Sequence, residues 1–163
     1  MPMKALTALL EDLGCVNIKT YIQSGNVVLQ SAKKSVAQLS AAISTVINER
    51  HNFKPHVLIL QVQDLKRAVA MNPFPEAESD PKSLHLGFLG ALASNPDLKK
   101  LERLKADSEQ FQLIGRVFYL HAPDGVGRSQ LAANAEKSIG VAMTSRNWRT
   151  VGKIMEMLEE LKS

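Results

Sequence analysis

A chain of 163 residues with a net charge of +4 is long enough for one compact domain or for two small halves sharing a core, and its charge permits an anionic partner without requiring one. Hydrophobic residues make up 45% of the chain and charged residues 22%, a globular composition that excludes disordered, collagen-like and coiled-coil classes. Since the single cysteine cannot form an internal disulfide and no apolar run approaches the ~20 residues of a membrane-spanning helix, we expect a cytoplasmic protein without a membrane partner.

The first part of the chain predicts a helix, a hairpin and a second helix. Apolar residues recur at helical spacing over 3–13 and again over about 35–50, and Gly14 is a stop signal after the first helix. Two β-rich runs between these helices flank Ser24-Gly25-Asn26. Because glycine and asparagine tolerate positive φ, this arrangement is typical of a hairpin or a sharply bent strand.

The middle of the chain predicts a strand, a short helix and a linker. Residues 56–62 are almost continuously apolar, as in a strand buried on both faces. Asp64 can cap a short helix over 65–71. The stretch 72–83 is rich in proline and charge, which is typical of a linker.

The second part predicts a strand, a helix, a hairpin and two further helices. Each element has a local signal, in chain order: an apolar strand at 83–89, the helix start Asn95-Pro96-Asp97, a turn at Gly115, the cap Ser129 with the stop Gly140, and a last helix beginning near Asn147.

The two parts contain similar elements in a similar order, which suggests an internal duplication. We therefore expect an α+β fold of two similar helix-hairpin-helix-strand halves, with mixed or antiparallel sheets and a C-terminal amphipathic helix. The expected halves are 1–71 and 84–163, joined by the linker 72–83. The strand at 83–89 has no counterpart before Met3, so we expect that a leading strand is missing from the first half.

The turn at 20–26 is a candidate ligand loop. Its hydroxyls, amides and glycine could hold an anion or the edge of a nucleotide. The structural alternative, which turn chemistry favours, is that Gly25 and Asn26 satisfy the turn and that Ser24 bonds back to the backbone.

A denser polar motif spans 143–150, where the last helix is expected to begin. Arginine near a helix N-terminus could bind phosphate or carboxylate, because the exposed N–H groups and the helix dipole favour negative charge. In the structural alternative, Thr144, Ser145 or Asn147 caps the helix, Trp148 anchors the core and Arg146 pairs with an acidic neighbour.

The remaining candidates are weaker. Lys99, Lys100, Arg103 and Lys105 form a basic cluster that is either a solvated helix face or a phosphate-binding stripe. The four histidines lack metal-site spacing, so we expect no metal and no cofactor. No nucleophile, carboxylate pair or base signature indicates a reaction, and whether the protein is an enzyme stays open.

Four motifs occur in the order found in a known family: TYIQSGNVV at 20–28, Asn72-Pro73-Phe74, Tyr119-Leu120, and Thr144-x-Arg146-Asn147-Trp148-x-Thr150-Val151. The chain thereby resembles domain of unknown function 1697, an uncharacterised bacterial family. The resemblance implies an α+β fold of two similar halves, favours both polar motifs as site candidates and implies no reaction. Members usually open with a strand and loop reading Leu-Arg-Gly-Ile-Asn-Val-Gly-Gly, whereas this chain begins at Met1-Pro2-Met3.

Our leading functional hypothesis is a site for a small anionic or nucleotide-like ligand. Arg146 would clamp the anion, and amides and hydroxyls would read its polar edges. The expected ligand residues are Tyr21, Gln23, Ser24, Asn26, Thr144, Arg146, Asn147 and Thr150. The alternatives are weak nucleic-acid binding through the basic residues, and a structural protein that forms a homodimer through an open sheet edge.

Overall fold

A computed structural model of the chain describes residues 3–21, 26–30, 36–52 and 57–162. The fold is α+β, as predicted, with six α-helices and six strands in these ranges. The chain divides into two compact units, unit 1 with residues 1–66 and 153–163, and unit 2 with residues 67–152. Across the ranges described, no helix has both the length and the apolar character needed to cross a membrane.

Unit 1 contains the predicted helix, hairpin and second helix. They are α1 (Met3–Asp12), β1 (Val16–Tyr21), β2 (Asn26–Gln30) and α2 (Val36–His51), and β1 and β2 pair in the antiparallel sense. The predicted stop at Gly14 is confirmed, because this residue adopts a φ of 87°, where glycine is favoured. Buried residues from α1, α2 and the loop before β1 form the core of this unit: Leu9, Leu10, Cys15, Leu39, Ile43 and Ile47.

The predicted strand at 56–62 is wrong. Residues 57–61 have no regular secondary structure and pair with none of the described strands, and His56 lies outside the described residues. Val57 and Ile59 instead pack against the core of unit 1, and the Val57 carbonyl accepts a hydrogen bond from the Ser40 hydroxyl at 2.8 Å. An apolar run signals burial, whereas a strand also needs a hydrogen-bonded neighbour.

Helix α3 (Val62–Ala70) starts earlier than predicted. Asp64 lies in its first turn, and its carboxylate accepts a hydrogen bond from the backbone N–H of Gln61 at 3.2 Å. This is the returning half of a capping box, so Asp64 stabilises the start of the helix from inside the first turn.

The sheet of unit 2 is entirely antiparallel. Its strands are β3 (Leu84–Leu89), β4 (Gln110–Ile114), β5 (Val117–His121) and β6 (Met143–Asn147), in the spatial order β4-β5-β3-β6. The predicted strand at 83–89 and the predicted hairpin around Gly115 are confirmed. Strand β3 therefore lies inside the sheet, and β4 and β6 are its outer strands.

Strand β6 is absent from the sequence-based prediction, which assigned these residues to the approach of the last helix. Thr144 and Arg146 occupy one face of the strand and Met143 and Ser145 the other, so no alternation of apolar and polar residues marks it. It is a strand because it pairs with β3 along its whole length.

Of the helices of unit 2, the first begins two residues later than predicted, with Asp97 and not Asn95 as its cap, and the second and third begin where the sequence predicts. They are α4 (Leu98–Leu104), α5 (Gln130–Ile139) and the start of α6 (Trp148–Lys162), whose later residues belong to unit 1. Asp97 accepts a hydrogen bond from the N–H of Lys100, and Ser129 from that of Ala132, so both are N-caps. Gly140 ends α5 in the left-handed conformation.

Residues 72–83 contain a short 3-10 helix, Pro75–Ser79. Asn72 fixes the turn before it: its Oδ1 accepts from the Phe74 N–H at 3.0 Å, and its Nδ2 donates to Glu78 Oε2 at 2.8 Å. The division into halves joined by a linker, and the internal duplication, stay predictions.

One face of the sheet of unit 2 packs against α4 and α5. The buried residues of this layer are Leu89, Leu101, Phe118, Leu120, Ala122, Leu131, Ala135 and Ile139. Tyr119 points to the opposite face, where its hydroxyl donates to the Ala68 carbonyl at 2.6 Å. Burial raises the pKa of Tyr119 to about 12.

Candidate functional site

A cavity of about 170 Å3 lies in unit 2 between the sheet and α5. Its walls come from three strands, from α5 and from the loop before α5: His85, Gly87, Phe118, Leu120, Val126, Ala132, Ala135, Met143 and Ser145. Two of these nine residues, His85 and Ser145, have polar side chains. The cavity is therefore mostly apolar, with a small polar region, and it is partly open to solvent.

The register of the sheet brings the strand residues of this cavity together. His85 pairs with Leu120, while Gly87 pairs with Phe118 on one side and Ser145 on the other. Since residues two apart on a strand share a face, all five belong to the face that α5 covers.

Gly87 has a packing role at the cavity. A Cβ at this position would overlap the Sδ and Cγ atoms of Met143. The missing side chain lets Met143 lie directly on β3, and Met143 itself lines the cavity.

His85 supplies the polar atom of greatest interest. Its Nε2 is buried and has no hydrogen-bond partner among the described residues. Burial lowers the pKa of His85, and a hydrogen bond to the backbone of Lys82 opposes part of this shift. Buried polar groups are normally bonded, so this nitrogen is an unusual feature.

Thr144 and Arg146, two of the predicted ligand residues, lie on the sheet face opposite the cavity. They pair with Phe88 and Leu86 of β3, which alternate with the cavity residues. Arg146 is half-buried, and its Nη1 donates to the Ser145 carbonyl at 2.8 Å. Burial lowers the pKa of the Arg146 guanidinium. This cation is therefore not part of the cavity.

Asn147 is the N-cap of α6. Its Oδ1 accepts a hydrogen bond from the N–H of Thr150 at 2.9 Å, which confirms the capping role considered for Asn147. Thr144 and Ser145 lie within β6 and so are not caps, and Trp148 is half-buried rather than a fully buried anchor. Asn147 and Thr150 thus have a structural role beside any contact with a ligand.

The other predicted motif lies in unit 1. Gln23, Ser24 and Gly25 lie outside the described residues, while Tyr21 ends β1 and pairs with Asn26 at the start of β2. Asn26 is buried, and its Nδ2 donates to the Tyr21 carbonyl at 3.3 Å. Asn26 therefore helps to close the hairpin. A site that combines this turn with residues 144–150 stays a prediction.

The basic cluster lies on and just after α4. Lys99 and Arg103 are exposed, while the Lys105 ammonium lies 4.0 Å from Glu102 and donates to the Glu109 carbonyl at 3.4 Å. These contacts fit a solvated helix face. Nucleic-acid binding stays a prediction, as does a homodimer formed through a sheet edge.

Sequence reasoning missed the cavity. It treated His85 as an ordinary surface or core residue. Ser145 was considered only as a cap. The convergence of these side chains depends on the pairing of β3 with β6, which the sequence did not predict.

Residues 1–119 match the model of a family described as protein of unknown function, DUF1697. Among solved structures, a conserved bacterial protein from Streptococcus pneumoniae is similar, with a TM-score of 0.65 and 20% identity over 97% of this chain and 89% of that chain. At this identity the similarity shows the fold alone. No curated protein matches the sequence. The matched range of the family includes β3 and ends before β6.

Proposed function

The chain belongs to the DUF1697 family, whose function is unknown, and on that premise we propose that it binds a small molecule in the cavity between the sheet and α5 of unit 2. The observation that carries the proposal is the cavity itself, whose lining is apolar apart from His85 and Ser145. A ligand there would be stabilised by burying its own apolar surface.

The size of the cavity limits the ligand. About 170 Å3 is below the roughly 300–1,000 Å3 of pockets for drug-sized ligands and close to the ~150 Å3 of an engineered cavity that binds benzene. A single substituted ring fits, whereas a complete nucleotide exceeds the volume. A nucleotide-like ligand could therefore enter only with its ring, and its remainder would lie outside.

Val126 gives the cavity a side toward solvent. This residue lines the cavity from the loop between β5 and α5 and is 37% exposed. Ser145 of the outer strand β6 is exposed as well, so a ligand would enter on the side of this loop or of β6.

Binding of an anion at Arg146 is a second, separate candidate. Arg146 lies two residues before α6, where the helix dipole disfavours a cation, and a bound anion would offset that repulsion. Since Arg146 and the cavity occupy opposite faces of the sheet, such an anion would occupy a different site from the ring-sized ligand.

A pair of variants on α5 tests the cavity proposal. Ala132 lines the cavity and Ala133 is its exposed neighbour. We would screen small ring compounds by thermal shift, and follow each hit by the backbone amide signals of Gly87 and Ser145 in 15N-resolved NMR spectra. Hits should raise Tm in the wild type and in the Ala133→Leu variant. Ala132→Leu should abolish binding, because the longer side chain fills the cavity.

Two results would count against the cavity. In one, hits leave the Gly87 and Ser145 amide signals unmoved. In the other, the same hits bind the Ala132→Leu variant as tightly as the wild type.

A further inference from the structure

The outer edge of β6, the side of this strand that faces away from β3, is identified by the pairing of the two strands. Just beyond the register of β3 and β6, the Gly90 N–H donates to the Ala142 carbonyl at 2.9 Å. Bonded and non-bonded pairs alternate along an antiparallel ladder. Met143 and Ser145, one and three positions after Ala142, therefore belong to non-bonded pairs. Their N–H and C=O groups point to the outer edge.

The bonds of β3 on its other side support this assignment. The Leu89 N–H donates to the Arg116 carbonyl, just before β5, at 2.9 Å. Leu89 lies opposite Met143 in the register of β3 and β6. Because a strand residue directs its N–H and its C=O to the same side, Leu89 offers neither group to Met143.

Two charged side chains bind backbone groups at this edge. Glu136 Oε2, from α5, accepts from the Met143 N–H at 2.7 Å, and Arg146 Nη1 donates to the Ser145 carbonyl at 2.8 Å. A carboxylate thus binds the donor, and a guanidinium binds the acceptor. Charge-assisted hydrogen bonds are roughly twice as strong as neutral ones, so a peptide group of another strand would replace each contact with a weaker one.

We propose that Glu136 and Arg146 close the outer edge of β6 to a further strand. A strand that paired with this edge would need the Met143 N–H and the Ser145 C=O, and it would first have to displace both side chains. Open strand edges pair readily with other chains, and charged side chains at an edge oppose such pairing. Since Ser145 is exposed, the edge needs this protection.

The proposal concerns the partner of the sheet and not the ligand of the cavity. A homodimer through an open sheet edge is one of the alternatives that the sequence left open. The sheet of unit 2 has two outer strands, β4 and β6. With the edge of β6 closed, a second copy that extends this sheet would have to pair with β4.

A double variant, Glu136→Ala/Arg146→Ala, tests the proposal by freeing both backbone groups. The matched control, Glu76→Ala/Arg149→Ala, removes one carboxylate and one guanidinium from exposed positions and leaves the net charge unchanged. We would measure the self-association of the wild type and both variants by sedimentation equilibrium. The Kd of the double variant should be lower by about tenfold for each freed group, and that of the control should equal the wild-type value.

A third substitution, Ser145→Pro, shows which edge associates. Proline has no N–H, and the Ser145 N–H points to the outer edge, so the substitution spares the bonds to β3 and removes a donor that an incoming strand would use. Added to the double variant, Ser145→Pro should raise the Kd by about tenfold.

The proposal is overturned if the double variant associates no more tightly than the control, or if Ser145→Pro leaves its association unchanged. If the double variant does not fold, amide hydrogen exchange in the wild type decides. The protection factor of the Met143 amide, which Glu136 binds, should exceed that of the Ser145 amide by about tenfold. Equal protection would mean that Glu136 does not hold the edge, and the proposal would fail. None of these measurements uses a ligand, so the cavity proposal stands or falls separately.

Discussion

Met143 lies so close to Gly87 that a Cβ on Gly87 would overlap its sulfur atom. The contact joins β6 to β3 across the sheet face that carries the cavity. The shape of the cavity at this point thus depends on two residues: Gly87 on β3, which has no side chain, and Met143 on β6, whose side chain is flexible.

Gly87→Ala should lower the free energy of unfolding by about 1–3 kcal/mol, because the new methyl group displaces Met143 in a packed layer. The matched background is Met143→Ala, in which the overlapping atoms are gone. There the glycine substitution should cost much less, and chemical denaturation of the four proteins of this double-mutant cycle measures the difference. Equal costs in both backgrounds would show that Met143 is not the obstacle.

Tyr119→Phe should lower the free energy of unfolding by about 1–2 kcal/mol, because it leaves the Ala68 carbonyl without its hydroxyl donor. The pKa of Tyr119 is about 12 in the folded protein against an ordinary 10.0, so the unfolded chain loses this proton first. The stability that depends on the neutral phenol is complete below about pH 10 and is lost as the pH rises toward 12.

The difference in stability between the wild type and Tyr119→Phe isolates this effect from other groups that titrate in the same range. It should be constant up to about pH 10 and shrink above it. A difference that stays constant through pH 12 would mean that the Tyr119 hydroxyl titrates equally in both states.

Asn147→Ala should destabilise the protein by about 1 kcal/mol, because the N–H of Thr150 loses its acceptor at the start of α6. Asn147→Asp and Asn147→Ser keep a capping oxygen and should stay close to the wild type in thermal denaturation. If the Asn147→Ala variant is as stable as the wild type, the hydrogen bond from Thr150 to Asn147 does not stabilise the start of α6.

Arg146→Ala should weaken the binding of inorganic phosphate if an anion occupies the second candidate site. Arg149→Ala removes the same charge from an exposed position on α6 and should leave binding nearly unchanged. We would compare the two variants by calorimetric titration at low ionic strength, where a nonspecific effect of surface charge is largest. Equal losses in the two variants would indicate nonspecific attraction to positive charge, which contradicts a site at Arg146.

The helix boundaries were predictable because their signals are local. Ser129 and Gly140 act within one turn of the residues they cap, so a few neighbouring residues contain the necessary chemistry, and at α4 the predicted cap, Asn95, was only two residues from the observed one, Asp97. Strand assignments failed where the outcome depends on a distant partner. Residues 57–61 are as apolar as a strand and have none among the described strands, whereas 143–147 are polar and have β3.

Less of the candidate site than of the helices was predictable, because the site also depends on which distant strands pair. The cluster at 144–150 was visible in the sequence, but alternation along β6 sends Arg146 and Ser145 to opposite faces. His85 and Ser145 are 60 residues apart in the chain, and only the pairing of β3 with β6 brings them to one cavity.

The position of β3 inside the sheet also means that it is synthesised before both of its partners. Both of its partners, β5 and β6, come later in the chain, and the hairpin of β4 and β5 is the only pairing in this sheet between consecutive strands. During synthesis an apolar strand therefore appears first and keeps both edges unpaired until residues 117–121, and then 143–147, have been made. In that interval the nascent chain carries an apolar strand with unpaired edges, the kind of segment that can pair with another chain.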